Sequence, residues 1–112
     1  MIIIIKTSYF AKYNGKNGVS IACGEPNGFS RERYPKLAPE WENVKAYKDG
    51  KIDRQEYTKR YKRQLQKLDP QSVYEDLDDK VLLCWEASNK FCHRFIAAEW
   101  LENKLNIKVE EI

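Results

Sequence analysis

The chain has 112 residues, which is enough for one compact domain spanning residues 1–112 and too few for two. Hydrophobic residues make up 42% of it and charged residues 33%, a balance that is typical of folded globular proteins and excludes a disordered chain. The formal net charge of +3 is too small to indicate nucleic-acid binding by itself.

The N-terminal run MIIIIK contains four consecutive isoleucines. It is too short for a signal peptide or a membrane span, and no basic residue precedes it. We therefore predict a central strand buried on both faces, no membrane association, and the cytoplasm as the compartment. In that compartment Cys23, Cys84 and Cys92 are expected as thiols, and their odd number disfavours a complete disulfide framework.

Hydrophobic periodicity and turn residues divide the chain into strands and helices. The patterns predict strands at 2–7, 19–23, 81–85 and 107–112, and helices at 41–48, 53–68, 72–77 and 91–105. The segment 24–40 has three prolines and two glycines and is predicted to be a long irregular connection. Loops of that length in a small domain are often functional.

The helix predicted at 53–68 has the clearest pattern. Asp53 opens it, and Glu56 stands at capping-box spacing three residues later. One face is apolar and is expected in the core, and Pro70 is expected to stop the helix. The other face carries a run of basic residues, Arg54, Lys59, Arg60, Lys62, Arg63 and Lys67, which reads either as a solvated surface or as a contact for nucleic acid.

Strands that alternate with helices predict an α/β fold. We expect a single-domain, three-layer, Rossmann-like sandwich whose mostly parallel sheet has about four or five strands. In such sheets ligands bind beyond the carboxyl ends of the strands. The residues at those ends are therefore the first candidates for a functional site.

Polar or reactive side chains stand at the ends of three of the predicted strands, although the interiors of those strands are apolar. They are Lys6, Thr7, Ser8 and Tyr9 at the end of the first strand, Cys23 and Glu25 at the end of the second, and Cys84, Glu86, Ser88 and Asn89 at the end of the third. Their expected convergence at one edge of the sheet is more informative than any of them alone.

Cys92, His93 and Arg94 fall where the helix at 91–105 should begin. The unpaired N–H groups and the dipole of a helix N-terminus attract anions, and a guanidinium suits phosphate or carboxylate. The same field would stabilise a Cys92 thiolate, and His93 could carry protons near neutral pH. Glu86 could accept a proton, hold a ribose hydroxyl or pair with Arg94.

Each of these residues also has a structural interpretation. Cys84 could be a small packed residue of the strand, His93 could cap the helix or face solvent, and Arg94 could form only an ion pair with Glu86. Zinc is disfavoured because no C-x-x-C pair exists and because neighbours such as Cys92 and His93 point apart on a helix. No metal and no other cofactor is predicted. A Cys84–Cys92 redox pair stays an alternative, although it lacks the short spacing that normally poises a dithiol.

Several segments resemble the uncharacterised family known as domain of unknown function 488. They are TSYF, VSIACGEP, LAPEW, EYTKRYKRQL and, above all, LLCWEASNKFCHRFIAAEWL. The resemblance runs over nearly the whole chain. It implies a Rossmann-like α/β sandwich, found in bacteria, archaea and phages, with no settled reaction.

The resemblance also marks site residues: Cys84, Glu86, Cys92, His93 and Arg94, and more weakly Thr7, Ser8 and Tyr9. Longer relatives commonly have an arginine after the second strand, where this chain reads ACGEP. An anion contact from that strand would have to come from Arg31 or Arg33 in the following loop.

Three functions follow from these residues. The leading hypothesis is binding of a nucleotide-like or other phosphate-bearing small molecule. Arg94 would hold its phosphate, Thr7, Ser8 and Glu86 would orient it, and Tyr9 or Trp85 would stack on it. An enzyme version would be hydrolytic or group-transferring, with Cys92 as nucleophile or Glu86 as base and His93 moving protons. The alternatives are a nucleic-acid or protein interaction through the basic helix 53–68, and thiol redox sensing through Cys92.

Overall fold

The computed structural model describes residues 4–112, which form one compact α/β domain with a five-stranded, entirely parallel sheet. The strands are β1 (Lys6–Tyr9), β2 (Gly18–Ser20), β3 (Glu32–Arg33), β4 (Val81–Cys84) and β5 (Glu110–Glu111). The helices are α1 (Trp41–Lys48), α2 (Arg54–Leu65), α3 (Pro70–Asp76) and α4 (His93–Leu105), and a 3₁₀ turn spans Pro35–Leu37. The predicted α/β class and parallel sheet are confirmed.

The strands lie in the order β3-β2-β4-β1-β5, so β4 is the central strand and is buried along its whole length. The connections β3→β4 and β4→β5, which carry all four helices, run in one direction along the sheet. The connections β1→β2 and β2→β3 run in the opposite direction. Because parallel crossovers are right-handed, opposite directions place the connections on opposite faces of the sheet.

The two faces of the sheet are therefore covered differently. The main core packs sheet residues such as Val19 and Leu82 against Tyr61, Leu65 and Leu101 of the helices. On the other face Phe10, Val81 and Leu83 are covered by loop side chains, among them Tyr13 and Phe29. Loops thus supply the covering layer on this face of the sheet.

Local sequence explains most element boundaries. The Asp53 side chain accepts a hydrogen bond of 2.8 Å from the Glu56 N–H, which confirms the predicted cap of α2. The predicted end of that helix is wrong, because α2 stops at Leu65, and Pro70 instead occupies the first turn of α3, where its missing N–H costs nothing.

The first strand also differs from its prediction. Residues 2 and 3 of the isoleucine run lie outside the described residues, Ile4 is 48% exposed, and Ile5 is buried. β1 begins at Lys6 and continues to Tyr9, because its backbone pairs with Val81–Cys84 over that range. β3, with both residues exposed, lies inside the predicted irregular segment and was missed for lack of an apolar pattern. Within residues 4–112 none of the helices combines the length and apolarity needed to cross a bilayer.

Candidate functional site

The carboxyl ends of the central strands meet, as expected from a parallel sheet. Thr7 of β1 donates a hydrogen bond of 2.6 Å to Glu111 Oε1, and Arg94 Nε donates to the same oxygen at 3.0 Å. Arg94 Nη1 also donates to the backbone carbonyl of Glu86 at 2.7 Å. The structure thus brings Thr7, Arg94 and the backbone of Glu86 together, while a shared role of their side chains in a ligand site stays a prediction.

Arg94 lies in the first turn of α4 and is completely buried. Its guanidinium forms a two-pronged ion pair with Glu111, at 3.0 and 2.8 Å, and contacts Cys84 Sγ at 2.9 Å. It also lies over the rings of Tyr9 and Phe95. Nearly all its donors are thus used inside the protein, which does not favour Arg94 as the residue that grips a ligand phosphate.

The partner of Arg94 is Glu111 of β5, not Glu86. Burial by itself raises the pKa of Glu111, but hydrogen bonds from Arg94, Ser88 and Thr7 lower it by more, so the net pKa is below the ordinary value. The sequence reading missed Glu111. The available signal was its place near the end of the last predicted strand, since that strand had to join the same edge of the sheet.

Thr7 and Ser8 are both buried and both engaged. Thr7 donates to Glu111, and the Ser8 hydroxyl donates to the Ile112 carbonyl at 2.8 Å. Both hydroxyls therefore hold β1 to the segment around β5. Their predicted contact with a ligand stays a prediction, as does that of Tyr9, whose ring faces the Arg94 guanidinium at 5.7 Å.

Cys84 and Cys92 are joined by a disulfide, and Cys23 is free. The expectation of three thiols is therefore wrong for this pair. The end of β4 and the start of α4 bring the two sulfurs together although eight positions separate them in sequence. Both side chains are buried, so in this state Cys92 offers no thiolate for attack on a ligand.

Cys92 is the N-cap of α4, with the extended dihedrals φ −151° and ψ 145°. Because it precedes the helical turn, its side chain is not forced away from that of His93, and Cys92 Sγ lies 3.8 Å from His93 Nδ1. The premise that these neighbours point apart is therefore wrong. Together with Cys84 they form a buried cluster whose three ligand atoms all lie within 4.8 Å of one another.

His93 is held by its other ring nitrogen, Nε2, which lies 2.5 Å from the Ile21 carbonyl oxygen. Burial lowers the pKa of His93 to about 4, the hydrogen bond to Ile21 opposes that effect, and the charge of Arg94 adds to it. A histidine with that pKa is neutral at pH 7. This does not favour His93 as a proton carrier near neutrality.

An opening of about 400 Å³, here called the crevice, lies between the ends of β2 and β4 and helices α1 and α2. It is lined by Ala22, Cys23, Gly24, Glu25, Pro39, Trp41, Val44, Lys48, Tyr57, Cys84, Trp85, Glu86 and His93. A second opening of about 510 Å³ shares Ala22, Cys23, Glu25, Pro39 and Trp41 with it and adds Arg33.

The crevice contains several candidates from the sequence but not Arg94, Thr7 or Ser8. Trp41 and Trp85 are 58% and 53% exposed, unusual for such large apolar side chains. Trp85 Nε1 donates to the Gly24 carbonyl at 2.8 Å, which fixes its indole. Glu86 is exposed, and its Oε2 lies 3.8 Å from Cys84 Sγ. These features are typical of a small-molecule site.

Cys23 and Glu25 also line the crevice. Cys23 Sγ contacts the Pro39 carbonyl at 2.8 Å, and burial raises the pKa of its thiol, an effect that nearby Lys48 opposes. Glu25 accepts from Ser20 and forms an ion pair with Arg33 at 3.0 Å. Of the two arginines expected in this loop, Arg33, which the structure places in β3, lines the second opening.

The other loop arginine, Arg31, is used elsewhere. It donates to the carbonyls of Tyr13 and Gly15 and lies over the Phe29 ring. An anion contact from Arg31 is therefore not favoured.

The basic face of α2 lies apart from this site. A shallow depression of about 810 Å³ runs along it, lined only by residues of α2 and by Gln66. Part of the charge is already engaged, since Arg60 pairs with Glu56 at 2.9 Å and Arg54 lies over the Phe91 ring. Its role in nucleic-acid or protein binding stays a prediction.

Comparison with protein-family models identifies the family of this chain. The family model DUF488-N3a, described as the active DUF488-N3 subclade, matches residues 9–105. No curated protein and no solved structure matches the chain. The matched range contains β4, the disulfide and the start of α4. The chain thus belongs to the DUF488 family, as its Cys-His-Arg segment had indicated.

Proposed function

We propose that the crevice binds a nucleotide-like or other phosphate-bearing small molecule and that the protein acts on it by hydrolysis or group transfer. The observation that carries this proposal is the set of side chains at the carboxyl ends of β2 and β4. Two half-exposed tryptophans, three carboxylates and two cations line the crevice and the second opening beside it. Ligands of parallel sheets bind at that end. The description of the subclade as active supports a reaction rather than binding alone.

Trp41 and Trp85 would contact the base. Each keeps more than half of its surface exposed although it borders a concave site. A flat aromatic ligand would cover that surface, and stacking on an aromatic side chain stabilises a base by about 1–3 kcal/mol. The hydrogen bond from Trp85 to the Gly24 carbonyl orders the indole in advance, which lowers the entropy cost of binding.

Arg33 and Lys48 would contact the phosphate. The Arg33 side chain is 66% exposed, and its pairing with Glu25 leaves donors available. Lys48, at the last turn of α1, lines the crevice itself. Arg94 acts as a positioning residue, because its guanidinium contacts Cys84 Sγ at the end of β4 and donates a hydrogen bond to the Glu86 backbone carbonyl.

Glu86 would act as the general base. It is the predicted catalytic residue that is exposed to the crevice, whereas Cys92 is buried in a disulfide and His93 is neutral. A carboxylate can take a proton from water or from a ligand hydroxyl, and such catalysis contributes about 10²–10⁴-fold to a rate.

A thermal-shift screen with a panel of nucleosides, nucleotides and inorganic phosphate tests the binding. A ligand at 100 times its Kd stabilises the fold by about 2.7 kcal/mol, so a specific ligand raises Tm well above the buffer value. Trp85→Ala should abolish the shift. Glu86→Gln should keep the Tm shift. It should lower the rate of turnover of that ligand by at least about 100-fold, as measured by chromatography of the products.

Glu75→Gln is the matched control, because Glu75 is exposed on α3, away from the crevice. It should bind and turn over the ligand as the wild type does. A panel in which no compound raises the Tm of the folded wild-type protein would contradict the proposal. So would a shift that Trp85→Ala leaves intact.

A second candidate is thiol redox sensing, which the bond between Cys84 and Cys92 supports. Mass spectrometry should show this pair losing two hydrogens after mild oxidation and gaining two after reduction, while Cys23 forms no disulfide. The proposed compartment is the cytoplasm, which the exposed free thiol of Cys23 supports and in which glutathione would favour the reduced pair.

A further inference from the structure

We propose that Cys84, Cys92 and His93, once the disulfide is reduced, bind a zinc ion at the floor of the crevice. The three ligand atoms are buried and lie within 4.8 Å of one another. Cys84 ends the central strand, and Cys92 and His93 begin α4, so rigid elements carry all three. Two thiolates and one imidazole are a ligand set that zinc prefers. This site goes beyond the proposed function and does not depend on it.

The histidine is oriented as a metal ligand. A carbonyl oxygen can only accept a hydrogen bond, so the contact of 2.5 Å to Ile21 requires the ring proton on Nε2. Nδ1 is then left with its lone pair, and it is the nitrogen that lies 3.8 Å from Cys92 Sγ. Metal-binding histidines almost always donate the other ring N–H to a carbonyl or carboxylate in this way.

The backbone spacing also suits a shared ion. The Cα atoms of Cys84 and Cys92 are 7.5 Å apart, beyond the usual disulfide range of about 4.4–6.8 Å. Two sulfurs bound to one zinc, each at about 2.3 Å, stand roughly 3.8 Å apart. A longer Cα separation is therefore compatible with metal binding once the sulfurs are reduced.

The charges around the cluster balance. Arg94 Nη1 lies 2.9 Å from Cys84 Sγ, and the guanidinium charge is matched by the Glu111 carboxylate. Two thiolates then neutralise the divalent ion. The fourth coordination position faces the crevice, which Cys84 and His93 both line and where Glu86 Oε2 is 3.8 Å from Cys84 Sγ. An open position next to a carboxylate is typical of catalytic zinc sites.

An added phosphine reduces the disulfide by giving up two electrons, takes the oxygen of one water molecule to become a phosphine oxide, and leaves the two protons of that water on the two thiols. Binding of Zn²⁺ then releases those two protons as both thiols become thiolates. An added small-molecule disulfide that takes up two electrons and is released as two thiols would oxidise the thiolates back to the protein disulfide and release the ion. The same pair of residues therefore holds either a covalent bond or a metal, never both.

The test uses the full chain, reduced with a phosphine and freed of excess reductant. Elemental analysis should give one zinc per chain, and titration with Co²⁺ should produce a thiolate-to-cobalt charge-transfer band. Cys84→Ser and Cys92→Ser should each weaken the metal Kd by at least about 100-fold. Cys23→Ser is the matched control, since Cys23 is the free cysteine outside the cluster, and it should bind as the wild type does.

A second measurement avoids variants that fail to fold. In the wild-type protein zinc should protect Cys84 and Cys92, but not Cys23, from alkylation, as read by mass spectrometry. Absence of the cobalt band in folded, reduced protein would overturn the proposal. Equal alkylation of all three cysteines with and without zinc would do the same. Neither result depends on a nucleotide, so failure here leaves the outcome of the ligand screen to be judged separately.

Discussion

Glu111→Gln tests the buried ion pair, because it keeps the shape of the side chain and removes its charge. The Arg94 side chain is fully buried and that of Glu111 is 22% exposed. Removal of one partner of a buried pair costs about 3–5 kcal/mol. Because solvent reaches Glu111, the lower end of that range applies. The hydroxyls of Thr7 and Ser88 also lose a charged acceptor. We expect a loss of about 3–4 kcal/mol.

Urea unfolding at pH 7 measures this loss. With an m-value of about 1.5 kcal/mol per M, the midpoint should fall by roughly 2 M. Glu110→Gln is the matched control, because its exposed neighbouring carboxylate should change stability by less than about 0.5 kcal/mol. The pKa of Glu111 is lowered in the fold, so its stabilisation is present above the ordinary glutamate pKa and is lost as pH falls through the lower value. Equal, small effects of the two substitutions would refute the reasoning.

Three further changes have defined outcomes. The pKa of His93, about 4 in the fold and 6.5 ordinarily, means that the unfolded chain binds more protons between those values. Stability in the presence of a chelator should therefore fall by about 2 kcal/mol between pH 7 and pH 5, and His93→Gln should remove that part of the slope in urea titrations. Asp53→Ala removes the cap of α2 and should cost about 1 kcal/mol in the same assay, while Asp53→Asn should cost little. Tyr61→Phe removes a bond of 2.6 Å to the Leu37 carbonyl and should lower Tm by an amount equivalent to about 1–2 kcal/mol, with unchanged circular dichroism.

Local patterns in the sequence were enough to locate the helices and the centre of the sheet. The bounds of α1 agree with the prediction at both ends, and the cap of α2 is the one that its spacing indicates. These features depend on residues within four positions of one another, which is the range over which helix periodicity and capping act. The start of α4 at Cys92-His93-Arg94 could likewise be located from neighbouring residues in the sequence.

The contacts of Arg94 could not be predicted from local sequence patterns. Its partner Glu111 is 17 positions away, and the hydroxyl that shares that carboxylate, on Thr7, is 104 positions from Glu111. Only the pairing of β1 with β4 and β5 brings them together. The sequence could list the strand ends but could not say which donors would be used up inside the protein. The Cys84–Cys92 bond was named but disfavoured for the same reason, because it depends on the distance between a strand end and a helix start, which sequence spacing does not give.

The uneven covering of the sheet has a consequence for how this fold can enlarge. The connections β1→β2 and β2→β3 are loops, and doubling the length of a loop adds only about 0.6 kcal/mol to its closure cost. An insertion there that forms helices would lie on the face opposite α1–α4. Since the β2→β3 loop supplies Cys23 and Glu25 to the crevice, an insertion at that point would also cover the proposed site.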